Sequence, residues 1–139
     1  MIEKIKAREI FDNLAEILAE QDIKIKISGN SMWPFFIDKK TNVRLTKIKS
    51  IKKNNVYLFK YQNNYVLHRL IKIKGETLIF QGDGNNAKEI VDKTALVAEL
   101  VAFENKRLIY TTNKCYRLKV FLYRLLPRRV VIKLFKRVK

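Results

Sequence analysis

Two residues of this 139-residue chain have the types and setting that nucleophilic catalysis needs. Ser31 lies in Ser28-Gly29-Asn30-Ser31-Met32-Trp33-Pro34-Phe35-Phe36, where a Gly/Asn turn followed by apolar residues and a proline would hold a hydroxyl exposed at the edge of a fold. His68 is the only histidine. A hydroxyl becomes a useful nucleophile only when a base takes its proton, and imidazole is the side chain suited to taking and returning a proton near neutral pH. A third segment, Gly82-Asp83-Gly84-Asn85-Asn86, begins a stretch that offers acids: Asp83, Glu89 and Asp92. In this reading Ser31 attacks a carbonyl carbon, and His68 takes its proton and passes it to the leaving amine. One of the three acids orients the ring and stabilises its cation. The backbone N–H of Ser31, in a turn loosened by Gly29, is a candidate oxyanion donor. Plainer readings stand beside this one. A lone histidine in a strand is often structural, and an aspartate between glycines is often a turn residue.

These groups need rigid elements to hold them. Residues 3–20 place Ile5, Ile10, Phe11, Leu14, Ile17 and Leu18 at three- and four-residue spacings, which predicts an amphipathic helix. From Ile23 to Ile27 the pattern alternates, predicting a half-buried strand that leads straight into the serine turn. Further strands are predicted over Asn42–Thr46, Val56–Tyr61, Tyr65–Lys74, Thr77–Gln81 and Ala95–Phe103, with a last one near Arg107–Thr112. Asn63-Asn64 and Lys74-Gly75-Glu76 read as hairpin tips, and Asn54-Asn55 as a tight connection. His68 falls inside an alternating strand that would fix the base. Helix, then many short strands, then helix predicts a small, mainly β domain: residues 1–22 as the N-terminal helix, 23–112 as the β domain, and 113–139 as a basic amphipathic tail.

Composition bounds the possible partners. Thirty Lys and Arg against thirteen Asp and Glu give a net charge of +17, a field that draws polyanions, anionic lipid or an acidic peptide. The single cysteine, Cys115, excludes an internal disulfide and a cysteine-based metal site, and sits in the basic tail remote in sequence from His68. No cofactor or metal is called for. No uncharged apolar stretch approaches a bilayer span, and residues 1–19 carry charges throughout, unlike a secretory leader. The expected location is the cytoplasm, with peripheral attachment to the inner membrane face as an option that the tail opens.

Gly29-Asn30-Ser31-Met32-Trp33-Pro34, His68-Arg69-Leu70-Ile71 and Gly82-Asp83-Gly84-Asn85-Asn86, in this order, resemble the type I signal peptidase and LexA-like serine peptidase superfamily over roughly residues 23–103. The resemblance implies a coiled, mainly antiparallel β domain and a serine endopeptidase. It makes Ser31 the nucleophile and Met32 and Pro34 its neighbours beside the substrate. His68 falls where one branch carries a lysine base and another a histidine, which implies a Ser–His pair. Asp83 matches the acid of the Gly-Asp box, and Glu89 falls where the histidine branch carries a second aspartate. Small side chains ahead of the cut bond are implied as well. Three departures stand out: Asn54-Asn55 replaces a Gly-Asp turn, Gly29 replaces a serine that some members use as an oxyanion donor, and no N-terminal membrane anchor is seen. Self-cleavage of the LexA kind is not expected, because no glycine here follows alanine or cysteine.

The segment 114–139 sets Leu118, Phe121, Leu122, Leu125 and Leu126 at helical spacing, breaks at Pro127, and resumes with Val130, Val131, Leu134 and Phe135. No carboxylate side chain follows Glu104. A basic amphipathic helix suits an anionic membrane surface. Nucleic acid is the second option, and packing against the β domain the third. A peptide or protein is the substrate under the catalytic reading. The alternative function is a non-catalytic module of the same fold that docks on anionic membrane or nucleic acid.

Overall fold

A computed structural model describes residues 13–138. The expected helix over 3–20 is seen as α1, Leu14–Glu20; residues 3–12 of that expectation lie outside the described residues. The strands are β1 (Ile23–Lys26), β2 (Asn42–Thr46), β3 (Val56–Tyr61), β4 (Asn64–Lys74), β5 (Thr77–Gln81), β6 (Lys88–Asp92), β7 (Leu96–Glu104) and β8 (Leu108–Tyr110). Two helices, α2 (Lys114–Arg124) and α3 (Arg128–Val138), follow. All strand pairings are antiparallel, in the order β1-β2-β7-β3-β4-β5-β6. β8 joins β7 at its far end, where Phe103 faces Ile109.

The turns explain the register. Tyr61 pairs with Asn64, so the first hairpin tip is Gln62-Asn63, one residue earlier than expected, and both carry positive φ. Two positive φ values in a two-residue loop match the right-handed twist of the strands. At the next hairpin Lys74 pairs with Thr77 and Gly75 takes φ 58°, a conformation glycine adopts without a Cβ penalty. Register shifts in β2/β7, β3/β7 and β4/β5 curl the sheet.

The curl produces two apolar clusters. The larger joins α1 through Leu14 and Leu18 to Met32, Phe36, Val43, Leu45, Leu58, Leu100 and Phe103, and takes in Tyr116 and Val120 of α2. The smaller packs Tyr57, Phe59, Leu70, Leu78 and Phe80, with the Phe59 and Phe80 rings stacked at 4.1 Å. α2 is therefore part of the domain core on one face. Among the described residues no helix is long and apolar enough to cross a membrane.

Candidate active site

Ser31 sits in the connection between β1 and β2. Gly29 adopts φ 96°, and its N–H donates to Asp38 Oδ1 at 2.7 Å across the loop. From there the chain winds through tight turns, with the Phe35 and Phe36 N–H groups both donating to the Met32 carbonyl, and the Trp33–Pro34 bond is cis. Met32 is buried in the main cluster and anchors the turn from below, leaving Ser31 partly exposed above it.

His68 lies on β4 opposite Tyr57 of β3, almost fully buried. Its Nδ1 meets Glu89 Oε1 of β6, itself buried. With a carboxylate as acceptor the imidazole donates from Nδ1, and Nε2 is the nitrogen turned to the Gly82 loop. Nε2 faces Gly82: a Cβ built there would stand 3.1 Å from it, 3.1 Å from Asn85 Nδ2, and in collision with the Ser31 carbonyl oxygen. Glycine at 82 thus lets the loop, the serine turn and the histidine ring meet. The Gly84 N–H donates to that same Ser31 carbonyl at 2.9 Å, and the Asp83 N–H approaches Met32 Sδ at 3.5 Å.

Ser31, His68 and Asn85 line one cleft of about 630 Å³, walled by Ile25 of β1, by Ile27 just after it, and by Tyr65 and Leu67 of β4. That volume falls within the roughly 300–1,000 Å³ of ordinary ligand sites. Lys26 also lines it. Among the described residues no hydrogen bond joins Ser31 to His68.

The three acids have separate placements. Glu89 is the one on the histidine. Asp83, fully buried, takes Arg69 in a two-pronged ion pair, Nε to Oδ1 and Nη2 to Oδ2, both 2.8 Å. Its carboxylate is committed to that guanidinium, so Asp83 does not orient the ring as the Gly-Asp box resemblance had allowed. Asp92 caps the short 3-10 turn that follows β6, accepting from the Thr94 N–H at 2.9 Å. Hydrogen bonding from Thr94 lowers its pKa. Met32 contributes to the cleft floor, whereas Pro34 is not among the lining residues.

Arg69 was not anticipated as a structural centre. Its guanidinium also donates to the Asn54 carbonyl at 2.6 Å and the Tyr116 hydroxyl at 3.1 Å, and lies near the Phe35 and Tyr116 rings. Burial works against its charge, but Asp83 and Tyr116 outweigh that and raise its pKa. Burial likewise raises the Tyr116 phenol, with the Arg69 charge opposing. From α2, Tyr123 donates its hydroxyl to the Asp83 carbonyl at 2.7 Å, and Arg124 reaches Gln81 Oε1 at 2.9 Å. Arg128 of α3 contacts the carbonyls of Gly82, Asp83 and Asn85. The C-terminal helices therefore brace the loop that meets both the serine turn and the His68 ring. The one sequence signal for this was a surplus of arginine and tyrosine in a tail lacking acids. Among the described residues no cluster of His, Cys, Asp and Glu could hold a metal ion. Compared with known proteins, the chain matches no family model and no curated protein sequence.

Proposed function

We propose that this protein is a serine endopeptidase of the signal-peptidase type, with a Ser–His pair in place of Ser–Lys. The observation that carries the reading is a single cleft lined by Ser31 and by a histidine whose far nitrogen is held by a buried carboxylate. Ser31 Oγ attacks the scissile carbonyl carbon while His68 Nε2 takes its proton, and Glu89 stabilises the imidazolium that forms. The tetrahedral oxyanion is met by the Ser31 backbone N–H. Collapse breaks the C–N bond, the imidazolium protonates the leaving amine, and water activated by the same nitrogen releases the acyl group. β1 is an edge strand whose residues line the cleft, so an extended peptide can add to it by main-chain hydrogen bonds. The apolar walls favour apolar or small side chains next to the cut.

Peptide-library cleavage read by mass spectrometry tests this. The wild type should give a consistent set of cut sites that Ser31→Ala and His68→Ala both abolish. Cleavage that persists in both variants, or no cleavage of any library peptide, rejects it.

A further inference from the structure

We propose that the outward face of α2 and α3 docks on an anionic phospholipid bilayer. This goes beyond the peptidase reading and does not depend on it. α2 is apolar on two opposite faces. Tyr116 and Val120 point into the core, while Leu118, Phe121, Leu122 and Leu125 each leave more than half of their surface open. Leu126, just before α3, and Val130 and Leu134 within it add further open apolar side chains, while Val131 of α3 is fully buried. A soluble domain gains nothing by exposing so many large apolar side chains in one strip, and such patches mark interaction sites.

Charge selects the occupant. Arg117 and Lys119 are exposed and fall at intermediate angles around α2, between its buried and its open face. In those positions long basic side chains can reach headgroups while the apolar strip enters the acyl boundary. Beside the strip, Phe121 and Leu125 form one wall of a groove of about 450 Å³ whose other lining includes Lys53, Lys72, Lys88 and Arg124, with no carboxylate. This cationic groove opens against an apolar wall, as a phospholipid headgroup with its attached chains requires. A protein partner would need only the strip, and a nucleic acid only the charge. A bilayer rich in anionic lipid uses both.

The test is sedimentation with vesicles of equimolar phosphatidylcholine and phosphatidylglycerol, compared with phosphatidylcholine alone, in low and high salt. The wild type should pellet with the anionic vesicles and stay in solution with the neutral ones. Leu118→Asp with Leu125→Asp should weaken binding by roughly tenfold or more, since charge is costly in an apolar boundary. Lys53→Glu with Lys88→Glu should weaken it and flatten its salt dependence. Both pairs are surface changes, and an unaltered thermal melt confirms that each variant is folded. Three results overturn the proposal: vesicle binding that the leucine substitutions leave intact, binding to duplex DNA that exceeds vesicle binding, or a dimer in solution that the leucine substitutions dissolve.

Discussion

At the scale of single residues, Glu89 and Asp83 are both buried acids, yet their partners predict opposite phenotypes. Glu89 holds His68 Nδ1. In Glu89→Gln the amide either accepts from Nδ1 without the charge that steadies an imidazolium, or flips and donates, which moves the proton to Nε2. Either way kcat of the proposed peptidase should fall about 10⁴-fold with the fold intact, by analogy with loss of the acid from a catalytic triad. Asp83→Asn instead leaves the Arg69 guanidinium buried without its counter-charge. Removing one partner of such a pair costs about 3–5 kcal/mol, so that variant should show a lowered thermal midpoint first, and lost activity as a consequence. Kinetics and melting curves on the two variants separate the roles, and a result with the phenotypes exchanged would refute the assignment. Ser31, His68 and the acids were legible in the sequence as residue types in order. Which acid reached the ring was not, because Asp83 and Glu89 are only six residues apart and pairing across three strands decides between them.

Among elements, the Gly82–Asn86 loop is the one on which everything converges. Gly82→Ala puts a methyl into the Ser31 carbonyl, so the serine turn or the loop must shift. If Ser31 is the nucleophile proposed, a displacement near one ångström can cost about 10²-fold in rate, and single-turnover kinetics on Gly82→Ala should show a loss of that order. α2 braces the same loop through Tyr123, whose phenol is pushed up to about 12 from 10.0, chiefly by burial and then by the Asp83 carboxylate. The folded state holds that proton more tightly than the unfolded chain does. The resulting stability is complete below pH 10 and is lost as pH rises toward 12. Melting temperatures of wild type should therefore fall more steeply across that window than those of Tyr123→Phe, and equal slopes would deny the brace. Most strands could be read, β1 and β4 from alternation and β2, β3, β5, β7 and β8 as short β-type runs between turn signals. β6 could not. Lys88-Glu89-Ile90-Val91-Asp92 has Ile90 exposed and Glu89 turned inward, because it is an edge strand whose one deeply buried side chain is an acid. The same strand carries the partner of His68, so the element hidden from pattern reading is the one that completes the site.

For the whole molecule, the decisive point is that the basic C-terminal helices belong to two systems at once. Read along the chain, they invite truncation after Asn113 as a clean way to remove a surface-binding tail. Folded, α2 contributes Tyr116 and Val120 to the main cluster, and Tyr116 sets its ring edge-on to Phe35 and tilted against Phe103. It also supplies the hydroxyl that receives Arg69, while α3 adds Arg128 to the carbonyls of the Gly82 loop. Helical periodicity in 114–126 registers apolar residues without saying which face meets the domain, and here both faces are apolar. Cutting after Asn113 removes a large buried aromatic, for which loss to alanine alone costs about 3–5 kcal/mol. That cost is comparable with the whole stability of a small domain, about 5–15 kcal/mol. The truncated chain should therefore lose cooperative melting and, with it, the proposed peptidase activity, even on a soluble peptide. A shorter cut after Leu126 keeps Tyr116, Val120, Tyr123 and Arg124 of α2 and removes Arg128 and Val131. It should melt cooperatively at a lower temperature, retain part of its activity, and bind anionic vesicles more weakly. If the chain ending at Asn113 instead melts as sharply as the full chain and cleaves as fast, the C-terminal helices are an appendage, and the bracing of the serine site by α2 and α3 is wrong.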